Sequence, residues 1–306
     1  MKALITGASG FVGQHLKKEL EDNGYEVVPT DRSKAEVKMD ITNYDETRYV
    51  IDKERPDAVF HLAGIAYVPS SWQDPELTIK TNTIGSLNLF NAIRSAAITP
   101  VIQIAGSSEE YGLVLPDEVP ITEKNELRPL SPYGVSKIAM EFLGYQYFKT
   151  YGLRIMRTRA FNHEGYGRGE QYVTSSFCKQ VAMIEKGLQE PVILHGDLTS
   201  ERDFTDVRDM VRAYRLAIEL CEPGEIYNIG SGVKHTIQEV LDIVKGMSKL
   251  KIEDKVDSKR MRPSDVKVLL CDPTKFKKKT GWENRYTLDE TLSECLRYWR
   301  EKYGLC

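Results

Sequence analysis

The sequence predicts an α/β protein built on a doubly wound parallel sheet. Three observations carry that expectation. The chain opens as strand, glycine-rich turn and helix within its first two dozen residues. Strand-like and helix-like segments then alternate through the first half, which is the signature of right-handed crossover connections in a parallel sheet. After the fifth strand comes Ser131-Pro132-Tyr133-Gly134-Val135-Ser136-Lys137, where a phenol and an ammonium lie four residues apart at the start of a helical run. On a helix, that spacing stacks the two side chains on one face. An ammonium beside a phenol favours the phenolate, so the pair can take and return a proton near neutral pH.

Composition narrows the class. The 306 residues are long enough for about two domains, or for one large α/β unit with an appended lobe. The chain is 41% hydrophobic and 28% charged, as is usual for a soluble globular protein. A net charge of −3 gives no reason to expect nucleic acid or an anionic membrane as partner. Five cysteines, at 178, 221, 271, 295 and 306, have neither metal-ligand nor redox spacing. They read as reduced thiols in a cytoplasmic protein, and no metal site is expected. The N-terminus MKALITGASG is already strand and turn, not a signal peptide, and no apolar run is long enough to span a bilayer.

Taken in order, Lys2 to Thr6 is the first strand. Gly7, Gly10 and Gly13 follow, with Phe11 and Val12 between the last two, and an amphipathic helix runs to about Asn23. Glycines there let the backbone approach a pyrophosphate, and the helix N-terminus supplies amide donors. Tyr25 to Thr30 is the second strand, ending at Asp31. That residue lies 18 positions after Gly13, close to the ~20 expected for a carboxylate on the ribose 2′-hydroxyl of NAD. Arg32 and Ser33 come directly after, and a guanidinium with a hydroxyl suits the 2′-phosphate of NADP. At this level both cofactors stand.

A third short strand ends at Asp40-Ile41, and Asn43 to Lys53 is helical. Asp57 to Leu62 is the fourth strand, delivering Ala63 and Gly64, small residues against which a flat ring or sugar can lie. His61 reads as a structural histidine. Leu77 to Ala97 forms one long helix containing Asn82. Pro100 to Ala105 is the fifth strand, and it presents Gly106-Ser107-Ser108-Glu109-Glu110-Tyr111-Gly112 at its carboxyl end, where open α/β sheets bind ligands. In the second half Glu225 to Ile229 is a late sheet strand. The charged run Lys245 to Arg262 is a solvated loop and strand edge. Tyr286 to Lys302 is an amphipathic closing helix with Leu288, Leu292, Leu296 and Trp299 on its core face.

Together, Gly7, Gly10 and Gly13, Asp40-Ile41, Leu62-Ala63-Gly64, Asn82, Ser107 and Tyr133/Lys137 occur in the order found in extended short-chain dehydrogenases/reductases, and the resemblance covers essentially the whole chain. Longer segments narrow it. Thr158 to Gly165, Val173 to Phe177, Arg202 to Asp209, Tyr227 to Gly232 and 262–266 resemble GDP-mannose 4,6-dehydratases and GDP-4-keto-6-deoxy-mannose reductases.

The resemblance implies a Rossmann-type sheet with a smaller interlaced C-terminal lobe. Residues 1–162 and 202–229 would bind NAD(P), and 163–201 and 230–306 the nucleotide sugar. It implies Tyr133 as acid/base at the sugar C4 oxygen, Lys137 lowering its pKa and holding the nicotinamide ribose, Ser107 bonding the same oxygen, and Glu109 handling the C5 and C6 protons. Gly7, Gly10, Phe11, Val12, Gly13, Asp31, Arg32, Asp40, Ile41, Leu62, Ala63, Gly64 and Asn82 would line the cofactor, together with Tyr133 and Lys137. Ser108, Asn162, Val173, Lys179, Arg202, Arg262 and Asp265 would hold the GDP-sugar. The partners implied are that substrate and a second copy of the chain in a homodimer, with a tetramer as the alternative.

The implied activity is 4,6-dehydration of GDP-mannose. The alternatives are a GDP-4-keto-6-deoxy-mannose reductase or another nucleotide-sugar epimerase/dehydratase. The short span from Asp31 to Asp40 departs from the longer dehydratase loop tied to NADP and tetramer formation. A catalytically silent NAD(P) sensor is disfavoured by the intact Ser107/Tyr133/Lys137 set, which would bury polar groups for no use.

Overall fold

The computed structural model describes residues 1–261 and 266–305. Strands β1 (Lys2–Thr6), β2 (Glu26–Asp31), β3 (Val37–Lys38), β4 (Ala58–His61), β5 (Val101–Ser107), β6 (Arg154–Ala160) and β10 (Ile226–Ile229) form one sheet. Its order is β3-β2-β1-β4-β5-β6-β10 and every pairing is parallel. Strand order reverses between β1 and β4, which is the switch point where such sheets open a crevice at their carboxyl edge.

Helices cover both faces. On one lie α1 (Phe11–Asp22), α8 (Val207–Leu220) and α10 (Thr274–Thr280), burying Leu16, Leu20, Met210, Ala213, Tyr214, Ala217 and Phe276 in one core with Ala3, Ile5 and Phe60. The other face carries α2 (Tyr44–Glu54), α5 (Gly85–Ser95) and α6 (Pro132–Tyr151), with Val50, Ile51, Leu89, Phe90, Ile93 and Met140 against Leu4, Val59 and Ile102. Strands buried on both faces read as near-continuous apolar runs, which is how they appear in the sequence.

A further apolar core gathers residues from the second half of the chain. There α7 (Val173–Glu185), α9 (Ile237–Gly246) and α11 (Leu288–Lys302) enclose Phe177, Cys178, Val181, Val240, Leu241, Leu292, Cys295, Leu296 and Trp299. A small sheet joins β9 (Glu201–Asp206) to β7 (Asn162–Glu164), β11 (Lys234–Thr236) and β13 (Val268–Leu269). A separate pair joins β8 (Val192–His195) to β12 (Glu253–Val256). All four residues of β12 are exposed, as expected for a strand edge in the charged run. Cys178, Cys221, Cys271 and Cys295 are buried free thiols.

Two elements differ from the sequence reading. The third strand is only Val37–Lys38, so Asp40 and Ile41 lie beyond it. The helix expected over Leu77 to Ala97 begins earlier and is interrupted. Helices α3 (Val68–Gln73) and α4 (Pro75–Ile79) precede it, and Lys80–Ile84 is a π-helical turn running into α5. The turn admits one extra residue and swings Asn82 to full burial. Gly85 then sits against Ile41, whose Cγ2 would be 2.8 Å from any Cβ added there. Hydrophobic periodicity does not report such a turn, because the apolar face resumes after it.

Candidate active site

The glycine-rich turn is held by sterics. Gly7 has φ +72°, and a Cβ on it would lie 2.9 Å from the Ala63 backbone. A Cβ on Gly13 would lie 2.5 Å from Gly7 O and 2.6 Å from Ala8 Cα. The first turn of α1 is therefore pressed onto the strand end. Gly10 caps α1 without a side-chain hydrogen bond, so the first-turn amides of Phe11, Val12 and Gly13 point outward over the carboxyl end of β1. Orphan amides, a positive dipole end and backbone free of Cβ atoms fit a dinucleotide pyrophosphate. Asp31 ends β2 beside this turn, half-buried, its carboxylate accepting from Ser33 N at 3.3 Å, and Arg32 is exposed. Asp40 accepts from the backbone and hydroxyl of Thr42 at 2.9 and 2.8 Å, and Ile41 is buried beside it.

The opposite wall is built from β4 and the π-helical turn. Thr6 Oγ1 accepts from Leu62 N and Ala63 N at 3.1 and 3.0 Å. Asn82 closes the Gly64 turn, accepting from Ile65 N at 2.8 Å and donating to Ile65 O at 3.1 Å. Its amide also reaches Ser136 Oγ at 2.9 Å, linking this wall to α6. His61 is buried between Thr6 Oγ1 and Ser86 Oγ, each at 2.8 Å. Ser86 donates to Asn82 O, so it accepts from His61 Nε2, and Nδ1 accepts from Thr6. Burial first, and the Lys137 charge second, push this histidine down to about 3. It is a neutral structural residue, as its sequence context suggested.

Between these walls stand Ser107, Tyr133 and Lys137. Helix α6 starts earlier than its apolar run. Ser131 caps it by accepting from Gly134 N at 3.1 Å, Pro132 occupies its first turn, and the tyrosine and lysine fall in the first two turns. Gly134 carries no Cβ, which would meet Glu109 O at 2.6 Å, so α6 packs directly on the turn after β5. That packing gives the Ser107 and Tyr133 side chains their hydrogen bond. Burial raises the Tyr133 hydroxyl well above its ordinary pKa, and the bond to Ser107 opposes the rise. Lys137 is also buried, and burial lowers its ammonium to about 8 against the opposing charge of Glu110. Its Nζ donates to Ala105 O at 2.8 Å and lies 5.8 Å from the Tyr133 ring centroid. In this geometry the phenol is governed first by burial.

The turn Ser108–Glu110 places the next two groups. Glu109 N donates to Ser107 Oγ at 3.2 Å. The half-buried Glu109 side chain lies close enough to Tyr133 for its charge to raise the phenol further. Ser108 is buried within the turn. A phenol that the sequence reading missed, Tyr172, also bears on this space. Tyr172 precedes α7, and its charge acts on Tyr133. Its ring lies 5.7 Å from that of Tyr67, edge to face, and beneath the Arg168 guanidinium at 3.4 Å. Lone tyrosines in polar loops carry no spacing signal that would single them out.

Among the other predicted site residues, Asn162 opens β7 and Val173 opens α7, both half-buried. Arg202 lies in β9, buried, donating to Glu201 O at 2.9 Å and Lys267 O at 3.3 Å. Lys179 is not brought to this cluster. It pairs with Glu170 and lies 5.6 Å from the Trp299 ring, in the contact between α7 and α11. Three residues nearer the start of α7, Ser176 Oγ accepts from Arg260 at 3.1 Å. Arg262 and Asp265 lie outside the described residues.

The sequence matches the family described as GDP-mannose 4,6 dehydratase over residues 4–295. GDP-6-deoxy-D-mannose reductase of Pseudomonas aeruginosa is 32% identical over 303 residues, covering 98% of each chain. GDP-mannose 4,6 dehydratase 2 of Arabidopsis thaliana is 33% identical, covering 92% of this chain and 82% of the plant protein. Among solved structures, RMD from Pseudomonas aeruginosa complexed with NADPH superposes with a TM-score of 0.92 at 32% identity, covering 98% of this chain and 99% of that one. The Thermus thermophilus UDP-glucose 4-epimerase complex with NAD does so with 0.87 at 29% identity, covering 98% and 99%. The switch-point crevice, the glycine cradle and the Ser107/Tyr133/Lys137 cluster thus form the candidate active site of a chain that belongs to the GDP-mannose 4,6-dehydratase family of extended short-chain dehydrogenases/reductases.

Proposed function

We propose that this enzyme is a GDP-mannose 4,6-dehydratase. The observation that carries the reading is Glu109, a half-buried carboxylate on the turn after β5, close enough to Tyr133 for its charge to act on the phenol. A single hydride transfer has no use for a second acid/base group at that place. The bound dinucleotide supplies the hydride acceptor and donor. Ser107 and Tyr133 hold the C4 oxygen, and Tyr133 takes its proton as C4 is oxidised. The Lys137 ammonium, fixed by Ala105 O, stabilises the phenolate form of Tyr133 that accepts this proton. With C4 a ketone, the C5 proton becomes acidic. Glu109 removes it and passes a proton to the departing C6 hydroxyl, which leaves as water. Reduction at C6 and reprotonation at C5 complete the turnover, with no net change in oxidation state.

A reductase of the 4-keto product is the second reading. It is favoured by the end-to-end match to the Pseudomonas reductase, against 82% coverage of the plant dehydratase. GDP-mannose with catalytic NADP⁺ separates the two. A dehydratase gives a 4-ketone that absorbs in base, and Glu109→Gln cuts that turnover by about 10²–10⁴-fold. Protein that forms no ketone, yet oxidises NADPH when given the 4-keto sugar, is the reductase.

The cofactor is read as NADP, on the exposed Arg32 guanidinium beside the β2 end and the NADPH-bound neighbour. The oligomer is read as a homodimer. Val135, Phe142 and Tyr145 are 47%, 54% and 39% exposed along one stripe of α6, and Leu77 and Ile84 are exposed on the adjoining segment. An apolar helix face of that kind is stable in water when a second copy covers it.

A further inference from the structure

Directly after Glu109 comes a second glutamate that the mechanism does not use. Glu110 is fully buried. Its Oε1 accepts from Ser107 N at 2.7 Å, and its Oε2 is 3.4 Å from Arg159 Nε. Arg159 is itself held by Glu141, whose two oxygens accept from Nε and Nη2 at 2.8 Å each. Arg159 Nη1 donates to Tyr111 Oη at 2.9 Å, and Tyr111 donates to Asn228 at 2.6 Å. Arg157 closes the group by donating to Glu141 at 3.2 Å. A carboxyl anchored by β6, α6 and β10 thus supports the end of β5. Gly106 is cut to fit it, because a Cβ there would lie 2.5 Å from Glu110 Oε1.

Burying this cluster has a cost that an apolar side chain at 110 would not incur. The hydrogen bond of Glu110 to the reaction centre is the one it accepts from the Ser107 amide, and its charge also acts on Lys137 and Tyr133. Ser107 Oγ already accepts from Glu109 N, so the turn fixes both the backbone and the side chain of the serine. We propose that Glu110 is a positioning residue: its carboxyl, clamped through Arg159 and Glu141, holds the Ser107 amide so that the Ser107 hydroxyl stays aimed at the Tyr133 hydroxyl and at the sugar oxygen they share. The proposal rests on the role given to Ser107 above.

A double-mutant cycle on the full-length enzyme tests it, with whichever of the two turnovers the wild type performs as readout. Glu110→Leu removes the acceptor and should lower kcat by about 10- to 100-fold, the scale of a sub-ångström to ångström misplacement at the reacting atoms. KM for the GDP-sugar and Kd for NADPH should not move. Glu110→Gln keeps an oxygen for the Ser107 amide and should recover most of the loss. In a Ser107→Ala background, Glu110→Leu should cost almost nothing more, because the hydroxyl it aims is gone. Full additivity of the two losses would overturn the positioning role, as would a loss confined to thermal stability. A Ser107→Ala enzyme with undiminished kcat would instead overturn the role of Ser107, leaving the two failures distinct. If Glu110→Leu turns over too little to measure, amide hydrogen exchange across 105–112 replaces kcat. Faster exchange there, with the remaining strands protected as in the wild type, supports the contact, and unchanged exchange refutes it.

Discussion

Lys137→Met should make the protein more stable and catalytically dead. The lysine is buried at the head of α6, and burial holds its pKa at about 8 against 10.5 for the free side chain. At about 1.4 kcal/mol per unit, keeping it charged at neutral pH costs the native state about 3 kcal/mol. Methionine fills similar space without a charge. The substitution strips Ala105 O of its donor, a loss of about 1 kcal/mol. The net expectation at pH 7 is about 2 kcal/mol of added stability, or roughly 5 °C in Tm for a chain of this size. The sign depends on pH in a defined way. Below about 8 the wild-type lysine is protonated in both native and unfolded chains, and the native state bears the whole cost. Between 8 and 10.5 the unfolded chain binds more protons than the native one, so wild-type stability rises with pH. The advantage of Lys137→Met is therefore largest below pH 8 and fades toward 10.5. Scanning calorimetry of both proteins from pH 6.5 to 10 reads this directly, on the condition that unfolding is reversible. A mutant less stable than wild type at pH 7, or one whose advantage is flat across that range, would refute a buried, penalised ammonium. Turnover should fall by about 10²–10⁴-fold in the same variant.

Tyr133→Phe should abolish turnover while leaving NADPH binding intact, measured by quenching of nicotinamide fluorescence. Gly13→Ala forces a Cβ against Gly7 O and Ala8 Cα, both backbone, so α1 must lift from the strand end; the expected result is loss of NADPH binding by at least about tenfold, and unchanged affinity would show that the cradle is not the pyrophosphate site. Glu141→Leu leaves the buried Arg159 with its main partner gone and should destabilise by about 3–5 kcal/mol in urea titrations, where a change under 1 kcal/mol would mean the cluster is solvated. Arg32→Ala should weaken NADPH more than NADH, by about 1–3 kcal/mol, and equal affinities before and after would make it an ordinary surface arginine. GDP should raise Tm more than UDP at the same concentration, and the reverse order would remove the GDP assignment.

Much of this protein follows from local rules that act within a few residues. Strands β1, β4 and β5 are apolar runs, as strands buried on both faces of a parallel sheet are. The three glycines stand where backbone must meet backbone, and Tyr133 and Lys137 are four apart because a helix brings such positions onto one face. Those features survive being read one at a time, and they were enough to place the cradle and the Ser107/Tyr133/Lys137 cluster in one crevice. What the tertiary structure alone decided are the contacts between segments far apart in the chain. The π-helical turn that turns Asn82 inward depends on Ile41 packing at Gly85, 44 positions away. The place of Lys179 beside Trp299 depends on α11 lying across α7. Glu110 reads as one more polar loop residue until Arg159 and Glu141 arrive from β6 and α6. Periodicity and spacing encode which face of an element is buried. They do not encode what is buried against it, and in this crevice the partner across the gap sets each charge, each pKa and the aim of each hydroxyl.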